Sequence, residues 1–161
     1  MIKTLYIMCG PAGAGKSTWA ADHAWPGSSA IISRDNIRFS MVAENEKYFS
    51  KEKEVKQEFY RQIKEALELP WVVEVYADAT HLTAKSRAEL VKNTCQGKDN
   101  VKVIPVVIVP PLEICLKQNS FRTGRRLVPE TVIRNMYDSF ENPNFDYLIP
   151  DFPVEYLEVQ D

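Results

Sequence analysis

Near the amino terminus, an apolar run breaks into a glycine-rich turn, GPAGAGKS, which matches the phosphate-binding pattern G-x-x-x-x-G-K-[ST] at every specified position. The glycines let successive backbone N–H groups face inward around phosphate oxygens, and the following helix contributes the positive end of its dipole. We expect Lys16 to reach the β- and γ-phosphates and the Ser17 hydroxyl to bind Mg²⁺. The turn predicts a site for ATP, or another nucleoside triphosphate, as phosphate donor. Its predicted contacts are Pro11, Ala12, Gly13, Ala14, Gly15, Lys16, Ser17 and Thr18.

The rest of the chain narrows the class of phosphate chemistry. The D-x-x-G and N-K-x-D motifs that a GTPase would carry are both absent from the sequence. A motor ATPase is usually longer and has an acidic pair at the end of a core strand, whereas the third predicted strand here ends in a lone Asp78. A small kinase fits better. Such a kinase requires a base for the acceptor hydroxyl, cations around the transferring phosphoryl group and a lid that excludes water.

The segment SRDNIR supplies the first requirement. We expect Asp35 where the second strand ends, beside the crevice in which open α/β sheets bind ligands. Arg38 follows three residues later, so a helical turn places both side chains on one face. The carboxylate can accept the proton of an attacking hydroxyl while the arginine clamps a phosphate of the acceptor. The alternative is that Asp35 caps the helix and that Arg38 is its solvated partner.

The segment FRTGRRLVPE supplies the second requirement. Arg122, Arg125 and Arg126 surround Gly124 between two predicted helices. An arginine that stabilises the charge of the transferring phosphoryl group belongs in such a lid. A solvated basic loop is the alternative. In combination with the phosphate-binding turn and Asp35, the segment favours a basic lid near 120–128 whose three arginines contact the nucleotide.

These residues must be positioned by a fold, and the chain alternates between strand-like and helix-like segments. The alternation predicts an α/β fold of the P-loop NTPase-type kinase class, with a mainly parallel sheet of four to five strands flanked by helices. Predicted strands cover about residues 2–9, 28–35, 71–80, 101–109 and 154–159. Predicted helices begin near residue 16 and cover about 36–42, 51–69, 83–95 (capped by Thr83), 111–120 and 129–140. No linker or repeat marks a second domain, so residues 1–161 are predicted to form a single P-loop kinase domain.

Composition limits the partners and the compartment. The net charge of −2 and pI near 5.8 mean that any polyanion must be bound by a local patch. The three cysteines form no C-x-x-C pair and fit a reducing compartment. No apolar run is long enough for a membrane span, and no secretory leader is recognisable. We therefore expect a soluble cytoplasmic protein with no membrane partner.

Four motifs, taken in order, resemble the 5′-hydroxyl polynucleotide kinase domain of the bacteriophage polynucleotide kinase-phosphatase family. They are the phosphate-binding turn with STWA, then SRDNIR, then DATHLTAKSR, then LKQNSFRTGRRLVPETVIRNMYDSF, and together they span roughly residues 3–140. The resemblance implies Mg²⁺-dependent transfer of the ATP γ-phosphate to the 5′-OH of single-stranded or end-exposed DNA or RNA, in nucleic-acid repair. The compartment would be the host cytoplasm if a phage encodes the chain. The D-x-D-G-T phosphatase motif is absent, so no 3′-phosphatase activity is expected.

The resemblance also implies residue roles. Lys16 and Ser17 would serve the nucleotide and the metal, and Asp35 would be the general base. Arg34 and Arg38 would bind the acceptor. Arg122 best matches the lid arginine, but the loop carries one extra residue, so Arg125 or Arg126 can exchange roles with it. Gln118 stands where the family often has an arginine that contacts phosphate.

The segment YADATHLT adds two further candidates at the end of the third predicted strand. Asp78 could hold a Mg²⁺-bound water or orient Arg38, and the Thr80 hydroxyl could touch the acceptor; the alternative is that Asp78 only caps the turn. We expect His81 to be a surface loop residue. Most of the three tryptophans, Trp19, Trp25 and Trp71, are expected to pack in the core rather than stack on bases.

Two other functions remain open at this point. A P-loop kinase of a small acceptor, such as a sugar, nucleoside or nucleotide sugar in a toxin-like enzyme, is the nearer one, because a short acceptor needs no broad basic track on this acidic surface. A non-catalytic nucleotide-binding module is the other.

Overall fold

The architecture is a parallel sheet with the strand order β2-β3-β1-β4-β5 and helices on both faces. The computed structural model describes residues 1–143 and 157–159. The strands are β1 (Lys3–Cys9), β2 (Ser29–Ser33), β3 (Glu74–Asp78), β4 (Val101–Ile108) and β5 (Leu157–Val159). The helices are α1 (Lys16–His23), α2 (Arg34–Met41), α3 (Glu52–Glu68), α4 (Ala84–Cys95), α5 (Leu112–Ser120) and α6 (Glu130–Ser139). The predicted α/β class is confirmed.

The central strands are apolar along almost their whole length because helices cover both faces of the sheet. Alternate residues of each strand feed two separate cores. The core against α3 and α4 includes Leu5, Ile7, Val75, Val103, Phe59, Ile63 and Leu90. The core against α1, α5 and α6 includes Met8, Tyr76, Val106, Ala20, Cys115 and Ile133. Within residues 1–143 and 157–159, no helix is both long enough and apolar enough to cross a bilayer.

The order of the strands determines where a ligand can bind. The chain passes from central β1 to outer β2, returns to β3 beside β1, and then crosses to β4 on the other side of β1. Ligands of open parallel sheets bind beyond the carboxyl ends of the strands, where the direction of winding changes. The glycine-rich turn follows β1 at this position, and Asp78 is the last residue of β3.

The boundary between β2 and α2 differs from the prediction. The helix α2 begins at Arg34, because the Ser33 hydroxyl accepts the Asn36 backbone N–H at 3.2 Å and caps the helix. Asp35 therefore lies in the first turn of α2 and not at the end of a strand. At the other end of the chain, only three residues of the predicted strand 154–159 are described; they form β5, parallel to β4 at the sheet edge.

The tryptophans are less buried than predicted. Trp25 and Trp71 are 70% and 63% exposed, because they lie in the turns that precede β2 and β3 and not in the strands themselves. Trp19 is half-buried and contacts Tyr6 and Tyr76 edge-on or tilted, with centroid distances of 6.3 Å. The expectation of core packing is wrong for two of the three tryptophans.

Candidate functional site

The glycine-rich turn passes so close to its neighbours that side chains are excluded. A Cβ on Gly10 would lie 2.1 Å from the Ile108 carbonyl oxygen, and the Gly10 N–H donates to the Thr80 carbonyl at 2.9 Å. Gly13 has a φ of +81°, and a Cβ there would lie 2.4 Å from the Cys115 carbonyl oxygen. The turn is therefore held against β4, α5 and the end of β3 in one conformation.

Lys16 is a buried cation at the start of α1. Its side chain is folded back over the turn, where Nζ donates to the Pro11 carbonyl at 2.7 Å. Burial lowers the pKa of Lys16 to about 8, and the positive charge of Arg122 acts in the same direction. Asp78 and Asp35 partly oppose this shift, so both carboxylates lie near the ammonium. A phosphate oxygen reaching this position would meet a cation already stripped of most of its water.

Ser17 and Asp78 form a pair between α1 and β3. The Ser17 Oγ donates to Asp78 Oδ2 at 2.7 Å. Asp78 is buried, and this burial raises the pKa of its carboxyl group, while the hydrogen bond from Ser17 and the charge of Lys16 oppose the rise. Asp78 thus contacts the phosphate-binding turn, so the alternative in which it only caps its own turn is wrong.

The oxygen pair of Ser17 and Asp78 fits Mg²⁺. This ion prefers oxygen ligands and is usually held by one or two protein groups together with phosphate oxygens and waters. Across residues 1–143 and 157–159, no group of three or more histidine, cysteine, aspartate or glutamate side chains could hold a metal.

Asp35 and Arg38 come together on one face of α2, as their spacing predicts. Asp35 Oδ1 lies 2.7 Å from Arg38 Nη1, and the Asp35 side chain is 56% exposed. Arg38 is buried and 5% exposed. The alternative in which Asp35 caps the helix and Arg38 is solvated is wrong, since Ser33 is the cap. An exposed carboxylate held by a buried arginine can accept a proton from a group in solvent.

Glu52, the first residue of α3, was missed by the sequence analysis. Its carboxylate accepts from Arg38 Nε at 2.9 Å and Nη2 at 2.5 Å, and from Arg34 Nη2 at 2.7 Å. Burial acts to raise the pKa of Glu52, but the hydrogen bonds and charge of Arg38 and Arg34 outweigh it and leave that pKa lowered. Although burial acts to lower the pKa of Arg38, the hydrogen bonds and charges of Glu52 and Tyr48 raise it. Fork-to-fork contact with Glu52 therefore fixes the plane of the Arg38 guanidinium.

The loop that joins α2 to α3 adds two aromatic rings to this cluster. The Tyr48 hydroxyl lies 3.3 Å from Asp35 Oδ1 and 3.3 Å from Arg38 Nη1. The Arg38 guanidinium carbon lies 4.9 Å from the ring centroid of Tyr48 and 5.2 Å from that of Phe49. Both distances are those of cation–π contacts. Arg38 is thus enclosed by Asp35, Glu52 and two rings.

The predicted lid near 120–128 includes a short 3₁₀ turn at Gly124–Arg126. Its base is closed by Asn119, whose amide Nδ2 donates to the Val128 carbonyl at 2.7 Å while Oδ1 accepts the Val128 N–H at 3.0 Å. Asn119 is buried. The two ends of the lid are therefore tied together by a reciprocal amide pair.

The lid arginines face two different parts of the site. Arg125 donates to the Val42 carbonyl at 2.6 Å, and Arg126 donates to Asn36 Oδ1 at 3.1 Å. Both guanidinium groups lie over the Phe39 ring, at 4.8 and 4.7 Å from its centroid. The positive charge of Arg122 instead helps to lower the pKa of Lys16 and opposes the rise that burial causes in the pKa of Asp78. Of the three arginines, Arg122 is the one whose charge acts on Lys16.

The remaining predicted residues lie around the turn. Thr18 is exposed in the first turn of α1, and the Thr80 side chain is half-buried. Gln118 Oε1 lies 3.9 Å from the position that a Cβ on Gly15 would take, so this amide does face the turn. Arg34 is half-buried, and its Nε is a buried nitrogen without a hydrogen-bond partner in the part of the chain that the structure describes.

His81 is not the surface residue that the sequence predicts. It is 6% exposed and has a positive φ of 40°, and its ring stacks on that of Phe59 with a centroid distance of 5.9 Å. Its Nδ1–H donates to the Met8 carbonyl at 2.8 Å. Burial lowers the pKa of His81 to about 3, so the neutral ring is a structural support.

A family profile described as AAA domain (AAA_33) matches residues 5–143. The chain belongs to this family. Its predicted P-loop kinase fold is borne out by the parallel sheet and flanking helices. The specific resemblance to phage polynucleotide kinases is confirmed only at the coarser level of a P-loop kinase domain.

Individual relatives agree on the fold and differ in their acceptors. The L-seryl-tRNA(Sec) kinase of Methanococcus maripaludis is 32% identical over 96% of this chain, which spans 60% of the length of that relative. The structure of Kti12 from Chaetomium thermophilum in complex with ADP-AlF3 has a TM-score of 0.67 at 16% identity. The superposed region includes 97% of this chain and 88% of the Kti12 chain. A fungal RNA kinase has a TM-score of 0.66 at 16% identity, and the superposed region includes 100% of this chain and 39% of the RNA kinase chain. A sugar kinase from Janibacter has a TM-score of 0.57 at 17% identity, and the superposed region includes 98% of this chain and 86% of the sugar kinase chain.

Proposed function

We propose that this protein is an ATP-dependent kinase that transfers the γ-phosphate to a hydroxyl of a nucleic acid, with the 5′-OH of a DNA or RNA end as the preferred acceptor. The observation that carries the proposal is the juxtaposition of two centres. A half-exposed Asp35 paired with Arg38 stands close enough to Lys16 to affect its pKa. This is the arrangement in which an acceptor hydroxyl and a terminal phosphate can be held side by side.

The chain supplies a residue for each part of such a transfer. Asp35 takes the proton of the acceptor hydroxyl while the hydroxyl oxygen forms a bond to the γ-phosphorus. The bond between that phosphorus and the β–γ bridging oxygen breaks, and ADP is released. Lys16 and the lid arginine Arg122 hold the phosphate oxygens. Mg²⁺, held by Ser17 and Asp78, would neutralise the charge of the β- and γ-phosphates.

The acceptor class is supported by two findings that point in the same direction. The relative at 32% identity is a kinase of an aminoacyl-tRNA, and one of the similar folds is an RNA kinase. Arg38 lies beside Asp35, and a phosphate next to the reacting hydroxyl would reach its guanidinium by replacing Asp35 or Tyr48 at Nη1, because Glu52 holds Nε and Nη2. A role in the repair of cleaved nucleic acid rests on family analogy.

The decisive experiment offers γ-labelled ATP and Mg²⁺ with a single-stranded 5′-OH oligonucleotide and, in parallel, its 5′-phosphorylated twin. We expect label on the 5′-OH strand alone. Serine-charged tRNA and a panel of free sugars are assayed beside them. Label on the charged tRNA alone would move the acceptor to an aminoacyl hydroxyl, and label on a sugar alone would refute a nucleic-acid acceptor.

Asp35→Asn tests the mechanism. Loss of a general base lowers the rate by on the order of a hundredfold or more. The ATP Kd should change far less than the rate, because Asp35 is expected to contact the acceptor and is a smaller influence on the pKa of Lys16 than burial and Asp78 are. Asp99→Asn, an exposed aspartate at the amino end of β4, is the matched control and should retain full activity. Near-normal transfer by Asp35→Asn would show that another group takes the proton.

A small-molecule acceptor is the second candidate, and one observation favours it. Glu52 binds two nitrogens of a buried Arg38, which leaves little of that guanidinium for a phosphate of the acceptor. A sugar has no phosphate beside its reacting hydroxyl and would not require one. High turnover of a sugar, with slow transfer to oligonucleotides, would identify this alternative.

A further inference from the structure

The loop between α2 and α3 brings an exposed aromatic ring to the acceptor side of the candidate site. Phe49 is 62% exposed. It follows Tyr48, whose hydroxyl contacts Asp35, so the ring stands one side chain away from the proposed base. Exposure alone does not distinguish Phe49, since Trp25 and Trp71 are at least as exposed; its place beside Asp35 and Arg38 does.

The contacts of Phe49 leave part of its surface open. Its ring meets Tyr48 edge-on, with centroids 4.8 Å apart and planes at 85°. The Arg38 guanidinium carbon lies 5.2 Å from its centroid. Neither of the two apolar cores includes Phe49. Packing therefore accounts for the contacted part of the ring and gives no reason for the exposed remainder.

The chemistry of an exposed ring beside a phosphate-binding arginine indicates a nucleobase. Stacking of a base on an aromatic side chain contributes about 1–3 kcal/mol and does not depend on which base is present. The net charge of −2 means that the protein as a whole does not attract a polyanion, so a stacking contact would add to what a local basic patch contributes to binding of the acceptor. A free sugar presents no flat π surface to such a ring.

We propose, on the basis of the nucleic-acid kinase function proposed above, that Phe49 is a stacking platform for a base of one of the two acceptor nucleotides nearest the 5′-OH. Asp35 and Arg38 then select a hydroxyl with a neighbouring phosphate, and Phe49 selects a nucleotide over a sugar. The ring gives affinity without a sequence preference.

The first test compares Phe49→Ala with the wild type on two acceptors, an intact 5′-OH oligonucleotide and one with an abasic site at either of the first two positions. We expect the acceptor KM for the intact strand to rise about 5- to 100-fold in the variant, with the ATP KM and kcat little changed. The abasic penalty of the wild type should disappear in the variant, because the two changes remove the same contact.

Two control variants separate stacking from support of the loop. Phe49→Trp should retain the low KM, since tryptophan stacks at least as well. Trp25→Ala removes another exposed ring, in the turn before the amino end of β2 and thus at the other end of that strand from α2, and should have no effect. An equal KM increase for intact and abasic acceptors in Phe49→Ala would overturn the proposal, because the ring would then only support Tyr48 and Arg38.

A binding measurement distinguishes failure of this proposal from failure of the kinase function. The probe is a 5′-OH oligonucleotide with 2-aminopurine at its first or second position, whose fluorescence falls when the base stacks. Quenching by the wild type and not by Phe49→Ala supports stacking even if no phosphate is transferred. Transfer with no quenching overturns stacking and leaves the kinase function standing. If the protein shows neither binding of the oligonucleotide nor phosphate transfer, both the stacking proposal and the kinase proposal are overturned.

Discussion

The proposed donor half of the site and its proposed acceptor half, called the donor half and the acceptor half below, are built in different ways. The donor half is the turn at residues 10–17 with Asp78, where backbone amides and buried side chains are held by contacts to β3, β4 and α5. The acceptor half consists of α2, the loop 42–51, the start of α3 and the lid, which meet through ion pairs and rings. One half is a property of a contiguous peptide, and the other exists only when four segments assemble.

This difference affects how easily the specificity of such a kinase for its acceptor can change during evolution. A turn that excludes every Cβ at Gly10 and Gly13 tolerates little change. The more exposed partners of the acceptor half, such as Arg126, can be exchanged at modest cost, whereas the buried Arg38 can change only together with its carboxylate partners. The relatives fit this pattern, since kinases of tRNA, RNA and sugars share the fold. The comparison predicts that variants of the donor half affect every acceptor, whereas variants of the acceptor half change the choice among acceptors.

The largest effect is expected at Lys16. Lys16→Met keeps the length of the side chain and removes its charge, so kcat/KM should fall on the order of a thousandfold with any acceptor, because a preorganised charge at the transferring phosphate is lost. Lys92→Met, an exposed residue on α4, is the control. Initial rates with labelled ATP measure the loss. A small effect, or one confined to a single acceptor, would break the proposed division between the halves.

The next largest effect separates the lid arginines. Arg122→Ala should lower kcat on the order of a hundredfold, because this charge acts on the phosphate-binding turn. Arg126→Ala should cost less than about fivefold, since it loses a surface hydrogen bond and a ring contact on α2. Single-turnover rates compare the two. Equal losses would show that the lid changes partners during the reaction.

A smaller effect is expected for Glu52, which we regard as a positioning residue. Glu52→Gln retains the shape of the side chain and weakens three charge-assisted hydrogen bonds to Arg38 and Arg34. The acceptor KM should rise about tenfold while the ATP KM stays constant. Glu65→Gln, an exposed ion-pair partner on the same helix, is the control. A parallel loss of thermal stability and of ATP affinity would indicate a merely structural role.

The smallest effect is a pH dependence that belongs to the donor half alone. Lys16 has a pKa of about 8 and binds phosphate as the cation, so raising the pH deprotonates it and weakens binding. From pH 7 to pH 8.5 the protonated fraction falls about fourfold, and the ATP Kd should rise by the same factor. Lys16→Arg, which stays charged, should show no such rise. Calorimetric titration at the two pH values measures it.

The donor half could be predicted from sequence because its pattern is local. The turn, its flanking strand and helix, Asp78 at the end of β3 and the Thr83 cap all follow from neighbouring residues. The burial of His81 could not be predicted, because His81 adopts a positive φ that no local sequence pattern indicates. Its burial depends on Met8, far away in the chain.

The acceptor half could be predicted only in part. Asp35 and Arg38 are neighbours on one helix, so their pairing follows from spacing. Glu52 lies in a run of charges typical of a solvated helix face, and only the path of the loop 42–51 brings it to Arg38. The contacts of Arg125 and Arg126 with α2 likewise join segments that are distant in sequence. Contacts of this kind depend on tertiary geometry rather than on periodicity.

The reciprocal amide pair of Asn119 and Val128 has an entropic consequence for the lid. A segment tied at both ends has lost most of its conformational freedom during folding, so less remains to be lost when it closes over a ligand. Arg122 sits just inside that tie and can sweep only a small volume, which raises its effective concentration at the phosphates. Rapid opening and closing then become compatible with tight contact at the moment of transfer.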